Sequence, residues 1–313
     1  MQNYRKPDKF THVSVPGGRV AVYSYGKGDE VLLCLHGGPG CTCDYVRDSH
    51  SFIADHGYRV VVYDQLGSGR SDKPKDKSLW NIPRFVEEVE AVRSKLGLGR
   101  VHLLGQSWGT WLGTEYCLRH LENVKTYIIA NGSGSVPQTM AELNRLRADL
   151  GAETVSMMLR HEAEGTTAHP EYAAAVTILY HRHLCRADPW PLAVKRSMEG
   201  TNPDVYGKMW GPNEFCCIGT LKDWDRLPDM HRITVPSLIL TGAHDELTPN
   251  CAMSMQRALP KAQLKVFKNS SHMPFWEEPH EYFPVLLKFL DSHRSRPSRS
   301  KRPKVGMTVQ GKN

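Results

Sequence analysis

The chain has 313 residues, 40% of them apolar, enough to bury the core of one large α/β domain with an insertion or of two modest domains, and it reads as soluble and globular. Its formal net charge of +7 does not mark a nucleic-acid-binding face, because Arg294, Arg296, Arg299, Lys301, Arg302, Lys304 and Lys312 supply the whole excess and residues 1–293 are formally neutral. The segment Met1 to Lys6 lacks the apolar core of a signal peptide, no run approaches the ~20 apolar residues of a membrane span, and eight cysteines without a repeated Cys-x-x-Cys spacing argue against zinc, so the expectation is a cytoplasmic protein with free thiols and no metal.

In chain order, His12 to Tyr23 alternates apolar and polar residues on either side of Pro16-Gly17-Gly18, which predicts a hairpin. Val31-Leu32-Leu33-Cys34-Leu35 is a short continuous apolar run, as a strand buried on both faces requires, and it ends in His36-Gly37-Gly38-Pro39-Gly40. A second such run, Tyr58 to Tyr63, ends in Asp64-Gln65-Leu66-Gly67-Ser68-Gly69-Arg70-Ser71. Phe85, Val86, Val89, Val92 and Leu96 then recur at helical spacing from Pro83 to Leu96. Val101-His102-Leu103-Leu104 leads into Gly105-Gln106-Ser107-Trp108-Gly109, and residues 111–120 can be helical. Lys125 to Ala130 is another buried strand. From about Val136 to about Asp225 the chain turns polar and helical, with helices expected over Met140–Leu150, Thr154–His161 and Glu171–Cys185. Strand signals resume at Pro236 to Gly242 and Leu264 to Phe267, with helices near Ala252–Ala258 and Glu281–His293 and no internal repeat.

This rhythm predicts a mostly parallel central sheet flanked by helices, with an inserted helical cap. The expected division is a core over 1–135, a cap over 136–225, the rest of the core over 226–293, and a basic tail over 294–313 that reads as a disordered extension.

Gly-x-Ser-x-Gly between a strand and a helix is the signature of a nucleophile elbow, where the serine occupies a strained turn and a Cβ at either glycine would collide with the neighbouring strand or helix. Alone the motif is common; its partners decide. Asp245 lies just past one predicted strand and His272 in the loop after the next, giving the chain order Ser, Asp, His of α/β-hydrolases. A serine hydroxyl becomes a nucleophile when a base removes its proton: His272 is the candidate base, and Asp245 the group that fixes its tautomer and stabilises the imidazolium. The amide of Trp108, with that of Gly37 or Gly38, is the candidate oxyanion hole. Trp190, Trp210 and Tyr206 are aromatic candidates for a side-chain pocket.

His36-Gly37-Gly38-Pro39-Gly40, Asp64-Gln65-x-Gly67-x-Gly69-Arg70-Ser71, Gly105-Gln106-Ser107-Trp108-Gly109 and the helical cap together resemble the proline iminopeptidase family of α/β-hydrolases, from about residue 10 to 291. Gly211-Pro212-Asn213-Glu214-Phe215, Gly219 to Asp225 and Asp245-Glu246-Leu247-Thr248-Pro249-Asn250 are most similar to the branch of the tricorn-interacting aminopeptidases and L-amino-acid amidases. That resemblance implies that Glu214 and Glu246 hold the substrate's α-ammonium group. It fits elementary electrostatics, since two acids near one pocket repel unless a cation joins them. Two positions depart from the pattern: Leu66, where many members carry a basic residue, and Thr110, where a second glycine is usual. The tail after His293 is not part of the pattern.

The expectation is a serine hydrolase that removes N-terminal residues, proline among them, from short peptides or amino-acid amides through an acyl-enzyme, without cofactor. It acts on no nucleic acid through its body and on no membrane, and no protein partner is identified. An esterase or amidase indifferent to a free amine and a non-catalytic ligand-binding protein of the same fold are the alternatives.

Overall fold

Strands buried on both faces need apolar side chains at consecutive positions, and in the computed structural model, which describes residues 4–295, the apolar runs form the middle of an eight-stranded sheet. The strands are β1 (Lys9–Val15), β2 (Gly18–Tyr25), β3 (Glu30–Leu35), β4 (Tyr58–Tyr63), β5 (Val101–Gln106), β6 (Val124–Ala130), β7 (Ser237–Gly242) and β8 (Ala262–Phe267). Their order is β1-β2-β4-β3-β5-β6-β7-β8. The hairpin β1–β2 is antiparallel, β2 runs antiparallel to β4, and every later pairing is parallel. The C-terminal ends of β3, β5, β6, β7 and β8 therefore open onto one edge.

The pleat sends neighbours to opposite faces. Leu33, Val61, Leu103, Ile129 and Ile239 meet α2 (Ile82–Lys95), α3 (Trp108–His120) and α9 (Pro249–Ala258). Leu32, Val60, Leu104, Ile128 and Leu238 meet α1 (Asp44–His50) and α11 (Pro279–Ser292), with the short α10 (Pro274–Glu277) before it. Local sequence sets the helix starts: the Asn81 side chain accepts the Arg84 amide at 3.0 Å ahead of α2, with Pro83 in its first turn. Helix α1 gave no sequence signal, since Asp-Tyr-Val-Arg-Asp-Ser-His has no apolar stripe. It is nonetheless buried from Tyr45 to His50, because its charges pair inward, Arg47 with Asp48 at 2.8 Å and Arg196 with Asp48 at 2.6 Å.

Between β6 and β7 lie α4 (Val136–Ala148), α5 (Ala152–Glu164), α6 (Pro170–Leu179), α7 (Leu192–Glu199) and α8 (Pro203–Met209). The insertion leaves and rejoins the core at one stem: the Val136 amide donates to Trp224 O and the Arg226 amide to Gly134 O, each at 2.8 Å. The expected helix Glu171–Cys185 is shorter than its pattern suggested. It ends as an α-helix at Leu179 and widens into a π-turn over Tyr180–Leu184.

Within the basic tail, Arg294 and Ser295 do not behave as a loose extension. The Arg294 guanidinium lies over the Tyr58 ring at 4.2 Å and donates to Asp291 at 2.8 Å, and the Ser295 amide donates to Glu30 at 2.7 Å. The expected disorder of 296–313 lies outside the described residues. Among the described residues no helix is long and apolar enough to cross a membrane.

Leu66 has a role in the packing. Its side chain fills the space beside Gly17 and Gly18 of the hairpin turn, where a Cβ on Gly18 would come within 2.9 Å of it. Its amide donates to Glu88, a buried α2 carboxylate paired with Arg84 one helical turn away. Burial raises the Glu88 pKa against the pull of that guanidinium. Arg84→Met therefore leaves a buried carboxylate without its cation and should cost about 3 kcal/mol, read as a lower urea midpoint. Arg84→Met/Glu88→Leu should recover most of that loss, because the double change removes the stranded charge.

Candidate active site

Ser107 sits between β5 and α3 at φ 53° and ψ −124°, a conformation that L-residues rarely adopt. The flanking glycines permit it. A Cβ on Gly105 would overlap the Gly109 carbonyl, and one on Gly109 would overlap the Leu35 carbonyl of β3. Thr110, the departure from a second glycine, donates its hydroxyl to Ser107 O at 2.7 Å, and its side chain occupies the space that a Cβ on Gly132 would need. Glycine at 132, in the loop after β6, therefore makes room for the Thr110 side chain.

Asp245 and His272 meet at the same edge, from the loops after β7 and β8. His272 Nδ1 lies 2.7 Å from Asp245 Oδ1. The Leu247 amide donates to Oδ1 at 2.9 Å, and Asn131 Nδ2 and the Thr241 hydroxyl donate to Oδ2 at 2.6 and 3.1 Å. Asn131, at φ 54°, reaches Asp245 from the end of β6, a role the sequence did not reveal. The insertion fastens this pair from above. The His183 carbonyl, in the π-turn, accepts both the Glu246 and the His272 amides at 3.2 Å, and the His183 ring bonds the His244 carbonyl at 2.9 Å. Widened turns of this kind expose a carbonyl that an α-helix would use internally.

Ser107 and His272 line one cavity with Gly37, Gly38, Cys41, Tyr45 and Glu214. No hydrogen bond joins the Ser107 hydroxyl to the imidazole; His272 Nε2 instead faces Glu246 Oε1 at 3.7 Å. Such bonds often form only when substrate is bound. The cavity measures about 20 Å³, the space of about one water molecule.

For the oxyanion hole the structure narrows the choice. The Gly37 amide donates to the Tyr45 hydroxyl at 2.7 Å, and that hydroxyl donates to Gln106 Oε1. Gly37 is therefore not a free donor, and its task is steric: a Cβ there would come within 2.7 Å of the Ser107 Cβ. The amides of Gly38 and Trp108 have no acceptor among the described residues. Gly38 holds φ +50°, and the Trp108 amide begins α3, where backbone donors are unpaired. The Asp64-Gln65 loop secures both sides: Gln65 donates to His36 O at 3.0 Å and accepts the Trp108 indole N–H at 2.9 Å.

Glu246 is buried and Glu214 partly buried, both close to His272. Burial raises both carboxyl groups, which the nearby imidazole opposes, and Glu214 and Asp245 push Glu246 higher still. Burial alone would lower His272, but Asp245, Glu246 and Glu214 outweigh it and hold the imidazole up at about 9. Glu246 Oε2 has no partner although it is buried, and the Tyr206 hydroxyl approaches Glu214 without reaching hydrogen-bond geometry. Three carboxyl groups thus share one imidazole. Of the aromatic candidates, Tyr206 stands near Gly38 and Glu214. Trp210 packs instead on Trp111 with ring centroids 5.3 Å apart, and Trp190 leans on His181; apolar walls come from Leu184, Val194, Met198 and Met273.

All eight cysteines are free thiols. Away from the cavity, His161, His169 and Glu171 gather donor atoms within 4.8 Å of one another. The two rings stack 4.7 Å apart and only 17° from parallel, so their in-plane lone pairs do not converge on one ion.

Residues 30–279 match the model of the alpha/beta hydrolase fold family. The proline iminopeptidase of Heyndrickxia coagulans is 38% identical over 283 residues, which cover 90% of this chain and 98% of that protein. The crystal structure of the proline iminopeptidase of Mycobacterium smegmatis, 35% identical, superposes with a TM-score of 0.84 over 91% of this chain and 98% of that one. The structure of VinJ, also 35% identical, gives 0.88 over 92% and 100%.

The raised imidazole ties stability to pH. Because the folded value lies above the unfolded one, the native state keeps a proton that the unfolded chain releases. That contribution is complete below about pH 6.5 and disappears as pH rises through about 9. The raised Glu246 acts in the same direction, since it too holds its proton longer when folded. Thermal midpoints of the wild type should therefore fall steeply from pH 7 to 9, and those of His272→Gln, whatever their level, should fall less steeply over the same window.

Proposed function

The chain belongs to the proline iminopeptidase family of α/β-hydrolases, and on that footing we propose that it is a serine aminopeptidase releasing N-terminal residues, proline foremost, from short peptides or amino-acid amides. The observation that carries the reading is the buried surplus of carboxylates around His272, with Glu246 Oε2 lacking any partner. A pocket built this way is complete only with a cation, and a peptide's N-terminus supplies one.

His272 takes the Ser107 proton as the hydroxyl attacks the carbonyl of the first residue, and Asp245 holds the imidazole in the tautomer that presents Nε2. Negative charge develops on the carbonyl oxygen and meets the amides of Gly38 and Trp108. Donors of this kind are worth about 3 kcal/mol each to the transition state. The imidazolium then gives its proton to the leaving amine, and water, activated by the same base, hydrolyses the acyl-enzyme. His272 must be unprotonated to begin, so a free enzyme holding the imidazole near 9 is poorly primed.

Substrate corrects this. A reference α-ammonium keeps its proton up to about pH 8. Seated between Glu214 and Glu246, it offsets their share of the field that holds the imidazole up, while Asp245 keeps its own. Binding thus lowers the His272 pKa as it positions the carbonyl, and the base is made available by the substrate it serves. The eight thiols suit a reducing, cytoplasmic setting.

Wild-type enzyme should hydrolyse prolyl p-nitroanilide and leave the N-acetylprolyl anilide intact, and Ser107→Ala should lose at least ~10³-fold in kcat. Glu246→Gln and Glu214→Gln should each raise KM about tenfold or more. Cleavage of the acetylated substrate at the same rate as the free-amine one would overturn the ammonium reading and leave an esterase or amidase.

A further inference from the structure

A second groove lies beside the catalytic cavity, walled by the same two chain segments. It measures about 430 Å³ and is lined by His181, Arg186, Ala187, Asn269, Trp276 and Glu277. Leu184 and Met273 belong to the catalytic wall, and Arg186 and Trp276 follow them by two and three residues. An extended chain advances at most ~3.5 Å per residue, so the Arg186 backbone stands within about 7 Å of Leu184. The groove therefore begins next to the wall of the catalytic cavity.

Its lining carries one carboxylate and one guanidinium, and the two differ in how far they are already engaged. Glu277 is engaged from within the fold: Oε1 accepts the Arg186 amide and the Ser271 hydroxyl, and Oε2 accepts the Ser271 amide at 2.7 Å. Asn269 is turned away onto Glu278 at 3.1 Å, and Trp276, whose indole N–H donates to Tyr45 O at 3.1 Å, lines the groove with its ring. The Arg186 guanidinium is exposed and pairs with no carboxylate among the described residues, and His181 stands with it. An aromatic face beside an unpaired guanidinium suits a short apolar or polar side chain followed by an anion.

We propose that this groove is the subsite for the leaving part of the substrate, and that Arg186 binds the free C-terminal carboxylate of a dipeptide or tripeptide. The assignment rests on reading the catalytic cavity as an aminopeptidase site and adds the other end of the substrate. Glutamates at one end and an arginine at the other would measure a zwitterion, so the preferred substrates are very short peptides with both termini free.

The test compares kcat/KM for prolyl-alanine with that for prolyl-alaninamide, with prolyl p-nitroanilide turnover alongside. The ratio of acid to amide within one preparation does not depend on how much folded enzyme is present. In the wild type it should be about tenfold in favour of the acid, the size of one partly exposed charge pair. Arg186→Gln should bring the ratio to about one, Arg186→Lys should keep most of it, and Arg186→Glu should invert it. An equal wild-type rate on acid and amide, or an acid preference that survives Arg186→Gln, would overturn the subsite while leaving the aminopeptidase standing. Absence of turnover of all three substrates by the wild type would overturn both.

Discussion

The structure turns on one electrostatic constraint: the carboxyl groups of Asp245, Glu246 and Glu214 gather around one imidazole, the first two fully buried and the third partly so. Carboxylates out of water must be matched by cations or hydrogen bonds. Asp245 is matched by Asn131, Thr241, the Leu247 amide and His272, which makes it a fixed point. Glu246 is not matched, and the imidazolium near it is a partial answer. The loops after β6, β7 and β8 and the π-turn of the insertion are all arranged about that imbalance.

Backbone geometry supplies the other half. The Ser107 turn exists because Gly105 and Gly109 let β5, α3 and β3 close to distances that a Cβ forbids, and Gly37 lets the loop after β3 pass the serine. Gly37 and Gly38 divide the work. Gly37 gives its amide to Tyr45 and so fixes the loop, while the Gly38 amide stays unpaired among the described residues. The strain at Ser107 is held by packing far larger than itself, the sheet and the helices α2, α3 and α9 on its face.

Much of this was legible in the sequence, for a reason tied to topology. Parallel strands buried on both faces read as unbroken apolar runs, and their C-terminal ends are where loops gather, so strand ends, elbow, Asp245 and His272 could be placed from pattern alone. What stayed hidden depends on contacts between distant segments. Helix α1 carries no periodic signal because its polar residues are satisfied inside, and without it neither Tyr45 nor its hold on Gly37 could be foreseen. Trp190 and Trp210 are aromatic residues in a polar stretch, which says that they are buried somewhere but not against what. The π-turn looked like more helix, since the widening leaves no mark on composition. Arg186 leaves no mark in the sequence, because Glu277, which takes its amide and not its guanidinium, lies 91 residues away.

The His183 carbonyl, which accepts one amide from each catalytic loop, has a further consequence. Leu184, Val194 and Met198, in the wall of the cavity that Ser107 and His272 share, belong to the insertion. Leu184, one residue along from that carbonyl, lines the cavity, so the segment that bounds the space for substrate is also the segment that ties the loops of Glu246 and His272 to each other, and the shape of the pocket and the placement of the base are set by one turn of chain.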